Sequence, residues 1–200
     1  MGILALTIVA TPAFAAYSFP PYTGPYESHT LTSADHATFV QQTGKMEIIS
    51  QPVNGLNGQS YVYMSSSTHP CYTTSQTMTI SGISANVNGF LWTSGSGGSQ
   101  AHVHLEAYVG KAAFIKNAMP GSQAVILDKT ITSGSISYNS LKTATSKTFT
   151  VPAGSYRVVV YGYVQTAGPN SSTAHFSNFD GTGHGISNIK VTWTAPQSQC

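Results

Sequence analysis

Along most of its length the chain alternates apolar and polar residues one by one, the two-residue period of a strand with one buried and one wet face. Three runs show it best. In 101–109, Val103, Leu105, Ala107 and Val109 face one way, and His102, His104, Glu106 and Tyr108 the other. In 155–166, Tyr156, Val158, Val160 and Val164 share a face with Gly162, and Tyr161 and Tyr163 point oppositely. In 185–195, Ile189, Val191 and Trp193 oppose Lys190, Thr192 and Thr194. The same reading predicts strands over 36–41, 45–51, 60–65, 76–81, 83–94, 122–130, 135–138, 147–151 and 172–177. Asn54-Gly55, Asn57-Gly58 and Asn88-Gly89 have the chemistry of hairpin turns, and Ser94–Ser99 that of a flexible loop. Only 111–116 suits a helical turn or two, stopped by Pro120-Gly121. So many strands with so little helix predict an all-β protein: an antiparallel β-sandwich, jelly-roll or Ig-like, occupying 36–200 as one domain.

The beginning reads differently. Residues 1–15 hold an uncharged apolar run, Pro12 and an Ala13-Phe14-Ala15 cleavage pattern, the grammar of a secretory signal without its basic start. The run is too short for a membrane span, which needs about 20 residues. The alternative is a retained apolar strand through Ile3, Leu4, Ala5, Leu6, Thr7, Ile8 and Val9. Residues 16–35 follow as an extended, proline-rich N-terminal arm. Two cysteines, Cys71 and Cys200, are most simply paired in an exported chain. Closing so long a loop is worth roughly 4–5 kcal/mol in the chain-entropy picture.

Composition narrows the function. Only 7% of the 200 residues are charged, while 26 Ser and 24 Thr make a quarter of the chain hydroxyl-bearing. Eight Lys and Arg cannot line a phosphate backbone, so nucleic acid is excluded as a partner. Six carboxylates leave little for acid–base work, and there is no G-x-S-x-G elbow. An enzyme is therefore not expected, nor a cofactor.

The sharpest local pattern is His102-Val-His104-Leu-Glu106, whose two imidazoles and carboxylate share a strand face and are weak candidates for metal ligands. Cupins carry such a pair, but there the Glu falls further on, and Arg157 stands here where another His would be required. The loop 179–185 has one acid, Asp180, too few oxygens for calcium. The aromatics say more. Tyr61, Tyr63, Trp92, Tyr108, Tyr161 and Tyr163 are candidates for an interface or for stacking on glycans, since a phenol joins an apolar ring to a polar tip. Asn170 opens the N-x-[ST] pattern for glycosylation.

Three functions are consistent with this. The first is an extracellular, cell-surface structural subunit that polymerises with itself into a filament or surface layer, donating residues 3–9 or part of its arm to a neighbour's sheet edge. The second is a secreted carbohydrate-binding β-sandwich with glycans as partners. The third is a cupin-like metal-dependent enzyme built on His102 and His104.

Overall fold

The computed structural model describes residues 14–19, 24, 26–31, 35–40, 44–51, 57–66, 69–95, 98–168, 171–178 and 181–200. Every element among them is a strand: β1 Phe14–Phe19, β2 Tyr26–Thr30, β3 His36–Val40, β4 Lys45–Ser50, β5 Gly58–Ser65, β6 Cys71–Tyr72, β7 Gln76–Thr93, β8 Gln100–Lys111, β9 Phe114–Ala118, β10 Ala124–Ile131, β11 Gly134–Thr143, β12 Lys147–Val151, β13 Gly154–Ala167, β14 Ser172–Phe176 and β15 Gly185–Pro196. No helix among them is long and apolar enough to cross a membrane.

The strands form two antiparallel sheets, the β-sandwich that the alternation predicts. The larger runs β1-β15-β4-β14-β7-β11, with β12 also on β7 and β3 on β4. The smaller runs β10-β8-β13-β5-β2, with β6 on β13 and β9 on β8. The inward positions of β8, β13 and β15 are the ones read from the sequence: Val103, Leu105, Val158, Val160, Val191 and Trp193 are all sealed from solvent. Met46 and Ile48 of β4 meet them from the larger sheet and are as fully buried.

Three local expectations are corrected. Residues 111–116 make a hairpin from β8 into β9, not a helical turn. A six-residue stretch is too short to stabilise a helix alone, and the hairpin is tied down by Ala112 N–H donating to Ser155 O and Met119 N–H to Val109 O. The runs 76–81 and 83–94 are one strand, β7, whose Gly82 takes a φ of 56°. That left-handed residue, cheap for glycine, gives the pattern a break without ending the strand. Finally, Asn88-Gly89 is no turn. Gly89 lies inside β7, where an added Cβ would stand 2.2 Å from the backbone oxygen of His175 on β14. Its small size serves a close backbone approach. Gly89→Ala is expected to cost about 1–3 kcal/mol by overpacking, seen as a lower denaturation midpoint; an unchanged midpoint would mean that β14 yields without cost.

The N-terminal segment is extended, and its described parts are paired within the chain. Phe14 and Ala15 lead β1, which runs along β15 from Phe14 opposite Pro196 to Phe19 opposite Val191. β2 lines the edge of the smaller sheet against β5. The sequence pattern missed both strands because β1 begins inside the signal-like run and β2 is a polar stretch with no apolar alternation. Residues 3–9, Asn54-Gly55, Asn170 and Asp180 lie outside the described residues.

A disulfide joins Cys71 to Cys200 within the chain. Cys71 belongs to the smaller sheet through β6 and β13, whereas Cys200 follows β15 of the larger. The bridge thus pins one sheet to the other. Polar contacts reinforce it: Gln199 N–H donates to Cys71 O, Cys71 N–H to Ser198 Oγ, and the Tyr72 hydroxyl to Pro196 O.

Candidate functional site

The outer face of the smaller sheet gathers most of the singled-out side chains, and strand register explains how. In β8 the residues outward of Val103 and Leu105 are His102, His104 and Glu106; in β13 they are Tyr161, Tyr163 and Gln165; in β5 they are Tyr61 and Tyr63. Pairing then aligns them in rows. One row runs Asp128, His104, Tyr163, Tyr61, His29 across β10, β8, β13, β5 and β2. The next runs Glu106, Tyr161, Tyr63, Glu27.

The rings in these rows touch. Tyr63 and Tyr161 stack with centroids 4.3 Å apart, Tyr61 meets Tyr63 edge-on at 5.4 Å, and Tyr161 and Tyr163 lie 6.2 Å apart. His29 stacks on Tyr61 at 5.2 Å, and His102 meets Tyr163 at 5.5 Å. Lys116 of β9 holds its ammonium over both Tyr61 and Tyr63 and pairs with Glu27. All four phenols are half-buried. Burial pushes the hydroxyls of Tyr63, Tyr161 and Tyr163 up from the usual tyrosine range, so they stay neutral donors. Tyr163 donates to Gln165 Oε1 at 2.6 Å.

At the β10 side the charged groups interlock. His102 Nε2 lies 2.7 Å from Asp128 Oδ1. His104 stands between two carboxylates, with Nδ1 3.6 Å from Asp128 and Nε2 3.4 Å from Glu106. Its contact with Glu106 raises its pKa above the ordinary imidazole value, outweighing burial, which lowers it. The contact with His102 holds Asp128 below the usual carboxylate range, against the opposing effect of burial. Glu106 is buried and accepts a hydrogen bond from Gln123 Nε2 at 3.2 Å. Asp128 is the member sequence reasoning missed: it enters only through the register of β10 on β8. The interior positions of β8 are aliphatic, and both histidines face outward.

Two aromatic candidates stand outside these rows. Tyr108 shares the outer face of β8 but is buried, its hydroxyl donating to Ile115 O at 2.7 Å beneath β9. It packs the hairpin and offers no ring to a ligand. Trp92 is exposed on β7 of the opposite sheet, away from the tyrosine rows. The larger sheet also carries a cleft of about 430 Å³ lined by Asn86, Asn88, Asn139, Lys45 and His184, with no tyrosine or tryptophan in its wall. Nearby, Nδ1 of His184 lies 3.4 Å from Nδ1 of His175.

No family model matches the chain, and no curated protein does. Among solved structures it is similar to the family 11 carbohydrate-binding module of Clostridium thermocellum in complex with a β-1,3-1,4-mixed-linked tetrasaccharide, at 11% identity over 92% of this chain and 96% of that one, with a TM-score of 0.25. It is similar to the CBM22-1–GH10 modules of Clostridium thermocellum xylanase 10B in complex with xylohexaose, at 10% identity and a TM-score of 0.25, covering 86% of this chain but only 26% of that one. It is also similar to a chain of infectious bursal disease virus, Gx strain, at 11% identity over 92% of this chain and 38% of that one, with a TM-score of 0.26. Likenesses this distant say nothing about what the chain binds.

Proposed function

We propose that the chain is a secreted carbohydrate-binding β-sandwich that holds glycan on the outer face of its smaller sheet. The observation that carries this is the pair of adjacent rows, Asp128-His104-Tyr163-Tyr61-His29 and Glu106-Tyr161-Tyr63-Glu27, set across neighbouring strands. The first is made of aromatic rings and hydrogen-bonding groups alone, and so is the second up to Glu106, beyond which exposed Val125 of β10 ends the row. A sugar ring has an apolar C–H surface rimmed by hydroxyls. Phenol rings suit the first and carboxylates, imidazoles and amides the second. A protein partner is less well matched, since interface cores also draw on Met and other apolar anchors. Low overall charge fits a neutral ligand that needs no electrostatic steering. The disulfide and the signal-like start fit an oxidising, extracellular setting.

The filament reading draws no comparable support. Its donor segment, residues 3–9, lies outside the described residues, and β1 and β2 already pair with their own chain.

Titration with a panel of soluble neutral polysaccharides and their oligosaccharides tests the proposal. Truncating a central ring, Tyr161→Ala or Tyr63→Ala, is expected to weaken binding about tenfold or more, the effect of losing a contact worth over 1 kcal/mol. Trp92→Ala is expected to leave it unchanged. Failure of every glycan to bind, or binding that survives in a folded double variant of Tyr63 and Tyr161, would sink it.

A further inference from the structure

We infer that His102, His104 and Asp128 form a binding site for one borderline transition-metal ion, Zn²⁺ or Cu²⁺, at the β10 side of the tyrosine face. One ligand atom from each lies within 4.8 Å of the other two. Donors at about 2.1 Å around a tetrahedral ion stand about 3.4 Å from one another. The spacings here, 2.7 Å from His102 Nε2 to Asp128 Oδ1 and 3.6 Å from His104 Nδ1 to the same oxygen, bracket that value. Both imidazoles come from alternate positions of one rigid strand, and Asp128 lies directly across from His104 on the next. The backbone therefore fixes all three.

Glu106 has a different place from the ligand role its spacing suggests. With Nδ1 of His104 turned to the ion, Nε2 is left to donate to Glu106 Oε2, 3.4 Å away. Glu106 is itself held by Gln123. A buried carboxylate behind a ligating imidazole sets its tautomer and orientation and raises its basicity, the usual outer support of such sites. The charges also close: a divalent ion is balanced by the carboxylates of Asp128 and Glu106. Two nitrogens and one oxygen suit Zn²⁺ or Cu²⁺, and not Ca²⁺ or Mg²⁺, which require shells of oxygens. Asp128 is largely exposed, so a further coordination position faces solvent beside Tyr163.

The site shares His104, Asp128 and Glu106 with the face proposed to hold glycan but does not depend on that reading, and its test uses no sugar. Untagged full-length protein, stripped with chelator, is titrated calorimetrically with ZnCl₂, CuCl₂ and CaCl₂. One equivalent of Zn²⁺ or Cu²⁺ is expected to bind, with no Ca²⁺. His102→Gln and Asp128→Asn should each weaken binding about 100-fold, and Glu106→Gln about 10–100-fold, the size of effect known for such outer partners. His184→Ala should change nothing. Thermal melts confirm that each variant is folded, and the Cu²⁺ spectrum should show two nitrogen ligands that fall to one in His102→Gln. Absence of saturable binding at millimolar metal, or binding lost in His184→Ala but kept in His102→Gln, overturns the inference.

Discussion

Reducing the Cys71–Cys200 bridge is expected to lower stability by roughly 4–5 kcal/mol, an upper figure from the entropy of a closed loop. The two residues are 129 apart in sequence, so the bridge forbids a large share of the unfolded chain's conformations. The folded state loses little in exchange. Gln199 still donates to Cys71 O, Ser198 still accepts from Cys71 N–H, and the Gln199 side-chain oxygen still accepts from Thr73. The effect should therefore appear almost wholly as a shift in denaturation midpoint with little change in the native spectrum. Urea unfolding with and without reductant measures it, and a Cys71→Ser/Cys200→Ser variant should match the reduced protein. A midpoint insensitive to reductant would show that the closed loop contributes nothing to stability.

The second large effect is expected at Trp193. It is fully buried in β15, and its ring stacks on Tyr17 of β1 at 4.5 Å. Trp193→Ala removes the largest side chain of the core and leaves a hole between the edge strand and the sandwich. A cost of about 3–5 kcal/mol follows from comparable truncations. Trp193→Phe should cost far less, for a specific reason. The indole N–H is buried with no hydrogen-bond acceptor among the described residues, and an unmet buried donor costs about 1–3 kcal/mol. Phenylalanine gives up some packing but removes that penalty. Chemical denaturation of both variants checks the contrast; equal losses would mean that the indole nitrogen is satisfied in solution.

The interior of the sandwich was legible because burial on one side of a strand has a period the eye can follow. β8, β13 and β15 each show it, and their inward residues are where the alternation puts them. Features that depend on which strands become neighbours were not. Tyr61 and Tyr63 form one visible pair and Tyr161 and Tyr163 another, yet only the register of β5 on β13 makes them a single surface. Asp128 is 26 residues from His102 and joins it through the β8–β10 pairing. Tyr108 looked like its neighbours on the same face, but β9 covers it, and that strand was read as a helical turn. Asn88-Gly89 carried a turn's chemistry while serving a close approach of two backbones.

The way β1 lies on β15 also decides how the molecule yields to traction. Phe14 is opposite Pro196, so both ends leave the sheet on the same side. A pull between residues 14 and 200 peels β1 away rung by rung rather than sliding it as a block. The load then reaches the Cys71–Cys200 bond, behind which the remaining strands are shielded. Only the stretch ahead of Cys71 can unspool, about 200 Å of contour against about 650 Å for the reduced chain. While the bond is intact, the molecule is a short tether with a hard stop.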